Sequence, residues 1–484
     1  MSQKNTHALG RLIRACRFVL TIAVLVPTSY VFAQTRDASQ TSPIAALQAG
    51  GTGSSQASHP DELERLLQLA DSVNPSVTAA RRGVEAARAR VSPAATLPDP
   101  MLMLGIQNLP LGKQSASTMS MSSGGPDPMT MRMIGIGQTI PYPGKLSLRR
   151  RAAEHEVDAA RASLDATTRQ IVTDIKDAYY ELAFVDQALS IVGRNRDVLA
   201  GFVRVTETRY AVGTSGQQDV LKAHVEATRL AESAVTLTEQ RRASLARLNA
   251  LLARPSDTPV DHPEIPASVA RAAIPAAANE IRFTSAALGA RAADSPLPPL
   301  AELQETALRE SPEIREQDAM IAAQASRLEL ARKDVLPDFD VSLQYGQRGG
   351  GLPDMITALV SVPIPVFKGR KQNQVVVESG AQLASLEAGR LQKQNEIRAE
   401  VARLVSELER SRAQLALYVK ALLPQARASL GSATASYQVG RVEFLTVLDD
   451  QATVFNYETE YFRVLSDFAK NLAELERVVG KEIV

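Results

Sequence analysis

The chain repeats itself, and that repeat limits its possible folds more than any other feature. The stretch ELERLLQLADSVNPSVTAARRGVEAARARV (62–91) has a counterpart in LAELQETALRESPEIREQDAMIAAQASRLELARKDV (300–335). Asn74-Pro75 falls on Ser311-Pro312 at an offset of 237, and Leu97-Pro98-Asp99 on Leu336-Pro337-Asp338 at 239. Further on, RYAVGTSGQQDVL (209–221) meets SYQVGRVEFLTVL (436–448) at 227, aligning Tyr210 with Tyr437 and Gly213 with Gly440. Matches in the same order in both halves mark an internal duplication, with repeats over 59–254 and 300–480. The Pro/Ala-rich connecting segment between them, 255–299, admits at most short helices.

Each repeat predicts a helix of about 30 residues, two extended segments, a very long helix, a Gly-containing turn and a shorter returning helix. The long helical hairpins cover 147–253 and 370–479. The first long helix, from about Ser147 to Ala211, would reach ~97 Å at 1.5 Å per residue. Its apolar residues keep heptad spacing, with Ile171, Ala178, Val185 and Val192 on one register and Ile175, Leu182 and Leu189 on the other. In the second repeat Val401, Leu408, Leu415 and Leu422 again stand seven apart. A seven-residue apolar repeat is the seam of a left-handed coiled coil. Helices of this length make a rod or a tube, not a compact globule. The scarcity of aromatic residues, 21 in 484 with no Trp, agrees with helices packed through small side chains.

The N-terminus has the pattern of a secretory signal peptide over 1–33. Lys4, Arg11, Arg14 and Arg17 precede an unbroken apolar run from Phe18 to Val26, and Val31-Phe32-Ala33 offers a small-residue cleavage site. The run falls short of the ~20 residues a spanning helix needs; a soluble N-terminal helix is the competing reading. The Gln/Ser/Gly/Ala stretch 34–58 predicts a flexible leader. Cleavage would remove the single Cys, Cys16, and leave 50 basic against 53 acidic residues. That balance excludes a nucleic-acid binder, and one Cys excludes a disulfide scaffold or a Cys-rich zinc site.

Four segments alternate like strands: 99–107, 129–140, 338–346 and 355–365. In the first, Met101, Met103, Gly105 and Gln107 face one way while Leu102, Leu104 and Ile106 face the other. In the second, Ile134, Ile136 and Ile140 oppose Met129, Met131, Met133, Gly135 and Gly137. Phe339, Val341, Leu343 and Tyr345 alternate with Asp340, Ser342 and Gln344 in the third, and Ile356, Ala358, Val360 and Val362 with Thr357 and Ser361 in the fourth. Each alone is compatible with a soluble hairpin. Four of them in a duplicated, exported chain, each pair followed by a ~100 Å helix, predict membrane β-strands. Four strands cannot close a barrel when about eight is the minimum, so copies of the chain must share one; two copies supply eight strands and three supply twelve.

Seven of the ten Met lie between 101 and 133: Met101, Met103, Met119, Met121, Met129, Met131 and Met133. Strand residues at i and i+2 face the same side, so thioethers converge, and soft sulfur selects Cu(I) or Ag(I) over Zn(II). On the alternation above they point into the barrel lumen, with Met119 and Met121 in the loop at its outer mouth. The competing reading is that Met fills irregular gaps.

No enzyme is legible and no cofactor is implied. His59, His155, His224 and His262 form no close ligand pair, and Gly135-Ile136-Gly137 lacks the third glycine of a dinucleotide loop. A periplasmic coiled-coil scaffold or adaptor without a membrane barrel would explain the helices, but not paired strand segments at equivalent places in both repeats.

Together the junction GQTIPYPGK (137–145), the stretch DAYYELAF (177–184) and the turns YAVGTSG (210–216) and YQVGRVEFLTVLDDQ (437–451) resemble the TolC-like outer-membrane efflux channels, the outer-membrane factors, and within them the heavy-metal exporter branch. The resemblance covers about 60–480. It implies an α+β membrane fold in which duplicated coiled-coil helices accompany four strands per chain. Three chains would share a trimeric 12-stranded β-barrel in the outer membrane, continuing into a periplasmic tube. It further implies a passive conduit that docks on a periplasmic membrane-fusion adaptor coupled to an inner-membrane resistance-nodulation-division pump. The adaptor-contact tips would be Val212, Gly213, Thr214, Val439, Gly440 and Arg441; the glycines also suit a tight turn on structural grounds alone. Asp449 matches a family carboxylate at the periplasmic gate, with Asp450 an added neighbour, whereas the second family acid is Thr446 here. Converging Asp449 carboxylates would repel one another and attract cations; a solvated helix charge is the alternative.

Overall fold

A polar cap followed by proline, used at the same place in both repeats, shapes the start of each. The computed structural model describes residues 62–108, 130–261, 263–274, 297–348 and 352–483. Helices α1 (Glu62–Val73) and α2 (Pro75–Ala95) lead to strands β1 (Met101–Gln107) and β2 (Met131–Ile140), then to α3 (Lys145–Ala211) and α4 (Gln217–Leu251). A short α5 (Ala267–Ala273) precedes α6 (Leu300–Glu310), α7 (Pro312–Lys333), β3 (Phe339–Arg348) and β4 (Met355–Ser361). The chain ends with α8 (Gln372–Leu417), a π-helical turn (Tyr418–Leu422), α9 (Leu423–Gln438) and α10 (Phe444–Val479).

The single opening helix expected in each repeat is therefore two. Asn74 is extended, and its Oδ1 accepts from the N–H groups of Ser76 at 2.8 Å and Val77 at 3.3 Å. Pro75 takes the first helical position, where its missing N–H costs nothing. Asn74 Nδ2 also donates to Leu251 O at 2.7 Å, which fixes the break against the end of α4. In the second repeat Ser311 Oγ caps Ile314 N–H at 3.4 Å ahead of Pro312. The polar cap satisfies N–H groups that a helix start leaves free.

The 67 residues of α3 run unbroken. Its seam residues Ile175, Leu182, Val185 and Val192 are fully buried and Leu189 is half-buried. Ile175 and Leu182 pack with Leu245 and Leu248 of α4, Leu63 and Leu66 of α1, and Ala469 and Ala473 of α10. In the second repeat Val401, Leu408 and Leu415 of α8 are fully buried against Val464, Phe468 and Leu472 of α10. The next heptad residue, Leu422, is only half-buried. Pro424 explains the departure: it has no N–H, and in an α-helix its ring would strike the carbonyl of Lys420. The wider π-turn over 418–422 absorbs that clash and advances the helix phase. The buried stripe therefore resumes on Leu423, Ala426, Ala433 and Tyr437.

The strands form one antiparallel sheet in the order β1-β2-β3-β4. Its central seam joins the two repeats, with Ile140 opposite Phe339, Gly137 opposite Ser342 and Met131 opposite Arg348. A charged clasp closes that seam where β2 enters α3. Lys145, almost wholly buried, donates from Nζ to Asp338 Oδ1 at 2.8 Å and Leu336 O at 2.8 Å, and lies 3.2 Å from Asp334. The Tyr142 N–H donates to the same Asp338 oxygen at 2.8 Å. Below the clasp, α3 packs along α7 of the other repeat as extensively as along its hairpin partner α4. Among the described residues no helix is long and apolar enough to cross a membrane.

If the heptad seam carries the helical body, Leu182→Ala lowers stability by about 2–5 kcal/mol, the usual cost of emptying a buried leucine site. Leu189→Ala costs clearly less. Thermal unfolding followed by helical circular dichroism in detergent measures both, and equal shifts would contradict the packing.

Candidate functional site

The register divides the sheet into two chemically different faces. Directly opposed residues share a face, so Leu102, Leu104, Ile106, Ile134, Ile136, Leu343, Ile356 and Val360 stand on one side, all at least half exposed. Such an open apolar band on alternate residues is the outward surface of a membrane barrel. Met101, Met103, Met131 and Met133 stand on the other face with Thr357, Ser361, Ser342 and Gln344.

Missing side chains bring the thioethers close to the sheet. An ideal Cβ on Gly135 would lie 2.6 Å from Gln344 Cγ and 2.9 Å from Leu343 O, and one on Gly137 would lie 3.1 Å from Met103 Cε. Only glycine lets Gln344 and Met103 lie flat there, and Gln344 Nε2 reaches within 4.0 Å of Met103 Sδ. Met133 stands opposite Gly105 on one side and Gly346 on the other, diagonal to Met103. The sequence reading missed Met355 of β4: it pairs with Gly346 and joins the same face, one strand beyond Met133. Its odd-numbered place in MITALVS was the available signal. Met119, Met121 and Met129 lie outside the described residues. Among the described residues no three His, Cys, Asp or Glu side chains are grouped to hold a metal ion.

At the far end of the helices, the turns between α3 and α4 and between α9 and α10 have nearly the same construction. Gly213 and Gly440 both adopt φ +74°, the left-handed conformation that glycine takes without penalty. Thr214 N–H donates to Arg209 O at 2.8 Å and Arg441 N–H to Ser436 O at 2.9 Å. The turns lie side by side: Arg209 Nη2 donates to Gln438 O at 2.6 Å, and its guanidinium sits 4.5 Å from the Tyr437 ring centroid. Val212 and Val439 are each 68% exposed, and Thr214 and Arg441 are exposed beside them. Tyr437 is buried but its repeat partner Tyr210 is half exposed, so the two tips differ beneath a common backbone.

On α10 the adjacent acids have different surroundings. Asp449 is exposed and its carboxylate makes no ion pair among the described residues, while Asp450 is half-buried and accepts from Ser429 Oγ of α9 at 3.0 Å. Thr446, one turn earlier, is exposed. Gln451 bonds to Asn195 of α3, which holds this stretch against the first repeat. Nearer the middle of the helices, burial would raise the Glu181 pKa, but hydrogen bonds from Lys470 and Gln240 hold it below the usual carboxylate range.

With this geometry established, known proteins place the chain. The profile of the outer membrane efflux protein family matches residues 66–254 and 303–481. The chain is 23% identical over 466 residues to the cobalt-zinc-cadmium resistance protein CzcC of Cupriavidus metallidurans, covering 96% of this chain and 98% of that protein. Its fold superposes on the outer membrane protein VceC of Vibrio cholerae with a TM-score of 0.69 at 19% identity, over 87% of this chain and 97% of that one. It superposes on CusC with a TM-score of 0.68 at 16% identity, over 87% and 92%. The chain belongs to the outer membrane efflux protein family: it is an outer-membrane channel with a periplasmic helical tube, a passive conduit and not an enzyme.

Proposed function

We propose that three copies of this chain close a 12-stranded barrel and form the outer-membrane channel of a tripartite efflux system whose cargo is a soft metal cation, Cu(I) or Ag(I). One observation carries the cargo assignment. Met101, Met103, Met131, Met133 and Met355 share the polar sheet face, over glycines that let Met103 lie close to the backbone. Thioethers favour soft monovalent ions, and in a conduit several weak sites in series allow an ion both to enter and to leave. A second reading, divalent cobalt, zinc or cadmium, draws on the similarity to CzcC. The absence of a His, Cys, Asp or Glu cluster among the described residues favours the first.

The exposed tips carry the partner assignment. Val212, Gly213, Thr214, Val439, Gly440 and Arg441 present small and apolar groups with one cation at the end of the tube, a surface suited to the helical hairpins of a periplasmic adaptor. A resistance-nodulation-division pump behind that adaptor supplies the energy. Asp449, exposed and without an ion pair among the described residues, and Asp450 serve as the periplasmic gate, where like carboxylates from several copies repel one another and gather cations.

Changing Met101, Met103, Met131, Met133 and Met355 together to Leu should weaken Cu(I) binding and make the host sensitive to copper and silver. Its tolerance of cobalt, zinc and cadmium should stay intact on a plate assay. Unaltered copper tolerance and unaltered Cu(I) binding would remove the soft-cation reading; sensitivity confined to the divalent metals would select the second. Separately, Asp449→Ala should raise the open fraction and reduce cation selectivity of single channels in planar bilayers, and identical records would end the gate assignment.

A further inference from the structure

The outward apolar band gives way to a cluster of cations on the periplasmic side of the sheet. Along β4 the even-numbered residues Ile356, Ala358 and Val360 stand on the apolar face, opposite Tyr345, Leu343 and Val341. The alternation continues past the strand in Val362 and Ile364, 44% and 82% exposed. Pro363 and Pro365 between them have no N–H, so this stretch does not extend the ladder. From Ile356 to Ile364 the chain advances ~26 Å, or ~20 Å along the membrane normal at a strand tilt of ~40°. A barrel's apolar band is ~25 Å tall. The segment that follows, Phe367-Lys368-Gly369-Arg370-Lys371, therefore stands at the periplasmic edge of that band.

One compact turn gathers its cations. Lys368 N–H donates to Pro365 O at 3.2 Å, and the N–H groups of Arg370 and Lys371 both donate to Phe367 O at 3.0 Å. Lys368, Arg370 and Lys371 are exposed and make no ion pair among the described residues. Aligning Pro141-Tyr142-Pro143 with Pro363-Ile364-Pro365, at an offset of 222, sets Lys371 on Arg149, the first of the run Arg149-Arg150-Arg151 at the same level of α3. The same alignment sets Phe367 on Lys145, so the second repeat does not rebuild the buried clasp; its cations come later and stay in the open. Most acids at this level are already engaged: Lys145 holds Asp334 and Asp338, Arg150 holds Glu154 and Arg332 holds Glu329. Exposed cations where an apolar band meets water match a lipid headgroup, whose phosphate oxygens lie at that depth.

We propose that Lys368, Arg370 and Lys371, together with Arg149 and Arg151, bind the headgroups of anionic phospholipid in the periplasmic leaflet of the outer membrane. The proposal rests on the channel reading and goes beyond it by naming the lipid class and the side chains that hold it. Val362 and Ile364 meet the acyl chains while the turn just below them meets the phosphates, so apolar area and charge act on the same lipid. Repeated in every copy, the turn becomes a cationic collar where barrel becomes tube.

The test uses the purified full-length oligomer in dodecyl maltoside, titrated with phosphatidylglycerol or with phosphatidylcholine, and reads the temperature at which the unboiled oligomer dissociates on gels. Phosphatidylglycerol should raise that temperature more than phosphatidylcholine does, and high salt should erase the difference. Each cation near a charged surface is worth roughly fivefold in affinity, so Lys368→Gln, Arg370→Gln and Lys371→Gln together should raise the phosphatidylglycerol needed for half the effect by more than roughly tenfold. Lys368→Arg with Lys371→Arg should keep the wild-type response, as should Lys222→Gln with Arg229→Gln on α4. A triple variant with the wild-type lipid response would overturn the proposal. So would a wild-type oligomer that answers both lipids alike, a result that depends on no variant folding. A triple variant that dissociates early in both lipids, matched by Asp99→Asn, would seat the cations on a neighbouring copy; the lipid site would then be lost and the channel kept. If the wild-type chain forms no oligomer at all, the channel reading falls with the proposal.

Discussion

A bilayer core offers no water to an unpaired backbone N–H or C=O, and each orphan group there costs several kcal/mol. A four-stranded sheet has two edges, so this chain cannot lodge its strands in a membrane alone. Much of the remaining structure follows from that constraint. The duplicated halves build one inter-repeat seam inside the chain, and Lys145, buried between Asp338, Asp334 and Leu336 O, locks that seam at the point where strand becomes helix. The burial of a lysine there is tolerable because every direction its ammonium faces carries an oxygen.

The helices obey a second constraint. A helix of 67 residues presents a long apolar stripe that no single shorter neighbour covers. Each repeat therefore sends out a hairpin, and the hairpins cover one another: α3 lies between α4 and α7, and α10 bridges α3 and α8. Where the stripe meets Pro424, the helix widens for one turn and resumes in a new phase instead of breaking. The turns at the far end use glycine at φ +74° in both repeats, because the chain must reverse without a side chain in the way.

Most of the element order was legible in the residues, because period-two and period-seven patterns report which face is buried. The departures have local causes. Asn74-Pro75 and Ser311-Pro312 were visible as a motif shared by the repeats, yet their cap chemistry splits what was expected as one opening helix of about 30 residues. Leu422 kept the seven-residue interval and still lost its place in the core, since spacing counts residues whereas burial follows angle, and a π-turn changes the angle per residue. The methionine face was legible through i, i+2 spacing within β1 and β2. Met355 was signalled only by its odd-numbered place in β4, and its position beside the others depends on pairing across β3 with Gly346, a partner more than 200 residues from Met133.

Sequence by itself determined the duplication, the long helices, the alternating strands and the soft-sulfur character of the first hairpin, all properties of neighbours along the chain. Tertiary structure alone decided which strands meet and in what register, that glycines make a floor beneath Met103 and Gln344, and that Lys145 is the clasp and not one more surface cation. Those are contacts between residues about 190 to 240 positions apart. No local pattern encodes them, because they are selected by the summed burial and hydrogen bonding of two whole repeats brought together.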